Sequence, residues 1–174
     1  MSLLPIITLP DPILRQKSTP VERVDDDLRR TLDDMLDTMY DAPGVGLAAN
    51  QVNSAKRFIV VDGSNNSADV DDPDRKPMCL INPEIVARSD TLRSYEEGCL
   101  SLPDVRVEIE RPDRITVRYL DRDGAQQELE AEGFLSTVIQ HEVDHLDGRL
   151  IIDFLSSVRR DTIVRRFKKL ARQA

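Results

Sequence analysis

The two histidines of this 174-residue chain stand four residues apart, in Gln140-His141-Glu142-Val143-Asp144-His145. On a helix that spacing puts both imidazoles on one face, with Cβ atoms about 5–6 Å apart. Two such rings can converge on one metal ion, and the intervening Glu142 can reach a water at that ion. Phe134 to Leu146 reads as the helix required, with Gly148 just past its end. The rest of the fold has to be built around it.

A catalytic site of this kind takes three protein ligands and keeps one position open. Metalloproteases often supply the third ligand downstream, as a Glu or as a His six residues past the second His. Here that position is Ile151, and beyond His145 the chain has no Glu and no His. The third ligand is therefore expected upstream. The best soft candidate is Cys99, in Tyr95-Glu96-Glu97-Gly98-Cys99-Leu100-Ser101-Leu102-Pro103, read as an exposed loop of the sort that presents functional side chains. Cys79, in the apolar run Met78-Cys79-Leu80-Ile81, reads as an inert core residue. A Cys/His/His set suits Fe²⁺, Ni²⁺, Co²⁺ or Zn²⁺, and ligand softness does not choose among them.

Apolar residues at three- and four-residue spacing, Leu28, Leu32, Met35, Leu36 and Met39, predict a helix from Asp25 to about Tyr40, with acidic residues in its first turn. Strands are expected at Arg57–Asp62, Met78–Ile81, Val105–Ile109, Ile115–Leu120 and Gln126–Glu130, and a polar loop at Gly63–Pro77. A last helix is expected at about 156–172. Strands grouped in the middle predict an α+β fold, antiparallel or mixed strands around the central His-Glu-x-x-His helix, with a C-terminal helix. One domain spanning residues 1–174 is expected, since no linker or repeat divides the chain.

No apolar run approaches the roughly 20 residues a membrane helix needs. The N-terminal segment lacks a basic n-region and a small-residue cleavage pattern, so a cytoplasmic location is expected. A net charge of −8 argues against general nucleic-acid binding, sequence-specific or otherwise. The last helix is the exception, with Arg159, Arg160, Arg165, Arg166, Lys168, Lys169 and Arg172 against Asp161. Val158, Ile163, Val164, Phe167 and Leu170 are expected to supply its apolar contacts.

Three segments in order, Gly44-Val45-Gly46-Leu47-Ala48-Ala49-Asn50-Gln51, Glu97-Gly98-Cys99-Leu100-Ser101 and Gln140 to His145, resemble the signature motifs of the peptide deformylases. The opening Leu9-Pro10-Asp11-Pro12-Ile13-Leu14-Arg15 is similar to that family's start. The resemblance implies removal of the N-formyl group from formyl-methionyl nascent peptides, with release of formate. It implies Cys99, His141 and His145 as ligands of one divalent metal, natively Fe²⁺. Glu142 would act as general acid/base while metal-bound water attacks the formyl carbon. The Gln51 side chain and the Leu100 backbone N–H would hold the developing oxyanion.

Positions matching the family's substrate site are Val45, Gly46, Tyr95, Glu97, Gly98, Phe134, Thr137 and Val138, with Arg106 along the bound peptide. Asn50, Phe134 and Thr137 depart from the residues common at those places, which bears on the shape of the pocket. The resemblance also implies ribosome contact through the basic last helix. Two other readings of the same residues are a zinc endopeptidase and an inactive relative that binds ribosomes or peptides.

Overall fold

In the computed structural model residues 2–64 and 75–174 are described. Most of the loop expected at Gly63–Pro77 lies outside them. Helix α1, Asp26–Asp41, begins where the Asp25 side chain accepts from the Leu28 backbone N–H, and Asp26 and Asp27 meet the positive end of the helix dipole. Its stripe of Leu32, Met35 and Met39 is fully buried.

Strands β1 (Gly46–Ala48), β2 (Phe58–Val61), β3 (Met78–Arg88), β6 (Arg114–Leu120) and β7 (Gln126–Glu132) form a five-stranded sheet in the order β1-β2-β3-β6-β7. Strands β4 (Leu92–Cys99) and β5 (Leu102–Pro112) form a separate pair. Every ladder between these strands is antiparallel. Helix α2, Gly133–Leu146, packs against both sheets and is buried without a break from Ser136 to Val143. It is apolar or small on most faces because it has almost no solvent face to serve. The fold is thus α+β, with the His-Glu-x-x-His helix at its centre.

Two cores flank that helix. One joins α1, the large sheet and the near side of α2. The other gathers Leu9, Leu14, Leu102, Val105, Val107, Ile109, Ile151, Ile152 and Phe167. Helix α3, Ser157–Gln173, closes the second core and is capped by the Ser156 hydroxyl, which accepts from Arg159 N–H.

Several expectations are corrected. β3 runs seven residues past Ile81, and β5 extends at both ends. Three prolines lie within these longer strands, Pro83 at a register shift in β3 and Pro103 and Pro112 near the ends of β5, the places where a strand tolerates a missing N–H. β4 was unpredictable from pattern because its polar, mostly exposed residues do not alternate. Cys99 is its last residue and is half-buried, not part of an exposed loop. On α3 only Ile163, Val164 and Phe167 pack inward; Val158 and Leu170 remain 73% and 53% exposed. Val158 falls on the opposite face of the helix, and Leu170 lies on the inward stripe but past the core that the stripe closes.

Candidate metal centre and active site

The end of β4 comes against one face of α2. There the ligand atoms of Cys99, His141 and His145 all lie within 4.8 Å of one another. Cys99 Sγ is 3.2 Å from His145 Nε2, and the two imidazole centroids are 5.1 Å apart. No other cluster of this kind occurs among the described residues.

The His141 ring is oriented from behind, whereas His145 Nδ1 has no hydrogen-bond partner among the described residues. His141 Nδ1 is 2.8 Å from Glu97 Oε1, so a proton on Nδ1 leaves the Nε2 lone pair facing the site. Glu97 is in turn gripped by Arg111, through Nε at 2.7 Å and Nη2 at 3.1 Å, and Arg111 Nη1 reaches Asp144 at 2.8 Å. Asn50 Nδ2 donates to the His145 carbonyl at 2.6 Å, holding the last turn of α2.

Electrostatics separate the two rings. Burial, reinforced by the positive charge of His141 and Arg111, drives His145 well below its ordinary value, so it is a neutral donor. Burial also opposes charge on His141, but hydrogen bonding with Cys99 and Glu97 and the Glu142 charge raise it well above its usual value. His141 therefore sits where the surrounding groups favour a positive charge. Burial pushes the Glu97 carboxyl up, yet the hydrogen bonds from His141 and Arg111 outweigh it and keep Glu97 ionised. Burial pushes Glu142 up to about 7, with opposing pulls from His141 below and Glu97 above. Its Oε1 is 3.6 Å from His141 Nε2, and its buried Oε2 has no hydrogen-bond partner among the described residues.

The site opens into a cleft of about 520 Å³. Val45, Gly46 and Gln51 line it from the segment around β1. Tyr95, Glu97, Gly98, Leu100 and Arg106 line it from β4 and β5, and Phe134, Thr137 and Val138 from α2. The structure thus brings together the residues singled out in the sequence, with His145 behind the others. Glu97 borders the cleft but spends its carboxylate on Arg111 and His141. Tyr95 and Phe134 meet edge-on with centroids 5.4 Å apart. The Arg106 guanidinium lies over Gly98, where a β-carbon would fall 1.4 Å from Nη1.

Gln51 is fixed at both ends of its amide. Its Oε1 accepts from Ala48 N at 2.9 Å; its Nε2 donates to Ser101 Oγ at 3.0 Å and lies 3.7 Å from Cys99 Sγ. Arg111, Asp144 and Ser101 carry positioning contacts that sequence reasoning did not single out. A signal for Arg111 existed: Val105, Val107 and Ile109 alternate inward on β5, and Arg111 continues that buried face.

An α+β chain with a His-Glu-x-x-His helix set against a strand cysteine falls in the class of metallohydrolases. The family model for polypeptide deformylase matches residues 3–161. The peptide deformylase of Mesorhizobium japonicum is 54% identical over 172 residues, covering 99% of this chain and 95% of its own length. That of Rhizobium meliloti is 52% identical, covering 99% and 96%. The crystal structure of peptide deformylase from Ehrlichia chaffeensis in complex with actinonin aligns with a TM-score of 0.88 at 41% identity, over 97% of this chain and 98% of that one. This chain belongs to the polypeptide deformylase family. Neither an endopeptidase nor an inactive binding relative is supported by these matches.

Proposed function

We propose that this chain, acting as one catalytic domain, removes the N-formyl group from formyl-methionyl peptides and releases formate. The observation that carries this reading is the convergence of Cys99, His141 and His145 beside Glu142 at the cleft. The donor set fits a divalent metal: a thiol, a neutral His145, and a His141 environment that favours positive charge. A metal held there supplies Lewis acidity and eases ionisation of the attacking water.

The protein's own groups do the rest. Glu142 Oε2, buried and without a partner among the described residues, takes the water's proton and later gives it to the leaving amine nitrogen. Gln51 Nε2, aimed by Ala48 and Ser101, and the Leu100 backbone N–H hold the oxygen that gains charge. Val45, Tyr95, Phe134, Thr137 and Val138 receive the methionine side chain, and Arg106 lies along the peptide. Fe²⁺ is the metal inferred, by resemblance alone, since the ligands' softness suits several divalent metals equally. A thiolate-held ferrous site is liable to oxidation, so preparation has to be anaerobic.

The reading places the protein in the cytoplasm, working on nascent chains. On α3, Arg165, Lys169 and Arg172 fall on the face opposite buried Phe167 and Lys168 flanks them, a basic surface for ribosomal RNA or protein. Reversing those four charges tests that contact, since deleting the helix would uncover the Phe167 core. Salt-sensitive ribosome co-sedimentation is expected to fall; unchanged sedimentation would rule the contact out. The activity is tested by formate release from formyl-Met-Ala-Ser, with Glu142→Ala as control and metal assayed in both. Release lost in the control despite retained metal supports the reading, whereas no release from the metallated parent sinks it.

A further inference from the structure

The apolar stripe of α3 continues beyond the core it closes. Phe167 is buried, but Leu170, one turn further on, is half exposed and borders a groove of about 820 Å³. Leu9, Pro10 and Arg166 also border that groove. So do Pro103 and Asp104, and these same two residues line the catalytic cleft. Pro103 and Asp104 thus form a two-residue ridge shared by the two cavities.

The ridge is well anchored. Leu102 and Val105 on either side of it are buried, and Leu9 N–H donates to the Ser101 carbonyl at 3.0 Å, tying the groove's wall to the start of β5. Asp104 holds a φ of 66°, a left-handed conformation that non-glycine residues seldom adopt. A polypeptide longer than the cleft has to leave it across some part of the rim. The Pro103–Asp104 rim leads to apolar surface, whose exposure a bound chain would relieve.

We propose that this groove is an exosite for the downstream part of the substrate polypeptide. The chain crosses Pro103 and Asp104 and seats apolar side chains on Leu170 and Pro10, while Arg166 donates to its carbonyl oxygens. The proposal rests on the deformylase reading for the identity of the occupant. It favours the substrate over a second copy of the protein, because only the substrate is already committed to the adjoining cleft.

The test compares formyl-Met-Ala-Ser with the same peptide extended by eight residues that include leucines, using the full-length metallated protein. The wild type is expected to show a KM roughly tenfold lower for the long peptide, the effect of burying about one large apolar side chain. Leu170→Glu and Arg166→Glu, both at exposed positions, are expected to lose that advantage while keeping kcat/KM on the short peptide. No length advantage, or one retained in both variants, overturns the proposal. So does a wild-type dimer that Leu170→Glu dissociates without altering long-peptide KM. If even the short peptide releases no formate, the deformylase reading fails by itself. The groove is then judged by fluorescence anisotropy of the labelled long peptide: roughly tenfold weaker binding to Leu170→Glu supports it, and equal binding overturns it.

Discussion

Gly46 lies directly against Glu142: a β-carbon on Gly46 would fall 2.8 Å from Glu142 Cγ and 3.0 Å from its Cδ. The small residue in the first motif is therefore a space requirement set by Glu142, the residue proposed to move the proton. Gly46→Ala is expected to push the Glu142 side chain away. Overpacking should lower stability by about 1–3 kcal/mol. Misplacing the acid/base should lower kcat on formyl-Met-Ala-Ser by roughly a hundredfold while metal content holds. Full activity in a folded Gly46→Ala protein would show that Glu142 does not need this position.

Arg111 is buried and divides its donors between Glu97 and Asp144. Arg111→Met leaves both carboxylates without their cation. Stability is expected to drop by about 3–5 kcal/mol, the usual result of removing one partner of a buried pair. Because Glu97 orients His141, metal affinity should weaken by roughly 10–100-fold. Urea unfolding and a competition titration with a chelator check the two effects separately. Weakened stability with unchanged metal affinity would make Arg111 a folding residue alone.

Asp153 gives the protein an acid-sensitive tie. Burial pushes its carboxyl up, but the Arg15 guanidinium at 2.7 and 3.1 Å and the Leu150 N–H at 3.0 Å outweigh that and hold it below the usual range. Its folded pKa lies below its unfolded one, so the contribution is present above about pH 4 and is lost as pH falls through the folded value. Asp153→Asn should be less stable than wild type at pH 7, with the gap narrowing toward pH 3 in urea unfolding. A gap undiminished in acid would exclude this origin.

Cys79 is the counterpart of Cys99. Burial pushes its thiol up to about 11, against a smaller opposing pull from Arg122. At pH 8 only about 0.1% would be thiolate, too little for ready alkylation. Cys79→Ala is expected to leave metal content and formate release unchanged, and mass spectrometry after iodoacetamide at pH 8 should find Cys79 unmodified in the folded protein. Fast modification would mean that β3 opens readily.

Much of the site was legible in the sequence because its chemistry lies in short segments. The four-residue spacing of His141 and His145 forces both rings to one face of a helix wherever that helix goes. The absence of any downstream Glu or His pointed back to Cys99. The α1 stripe, the α2 span and the inward face of β5 followed from periodicities of 3.6 and 2, which are properties of a single element. Strand β4 was not legible, since its polar residues are ordered only by pairing with β5.

By itself, then, the sequence determined which residues could bind a metal and move a proton, and that His141 and His145 share a face. Only the tertiary structure decided that Glu97 turns from the cleft to His141, that Arg111 holds it there across β4 and β5, and that Leu170 stays exposed beside the Pro103–Asp104 ridge. Those relations join residues of different elements, from 14 to more than 60 positions apart along the chain, brought together by register and packing. Local periodicity carries no information about which element will pack against which, so such contacts appear only once the cores on both sides of α2 have closed.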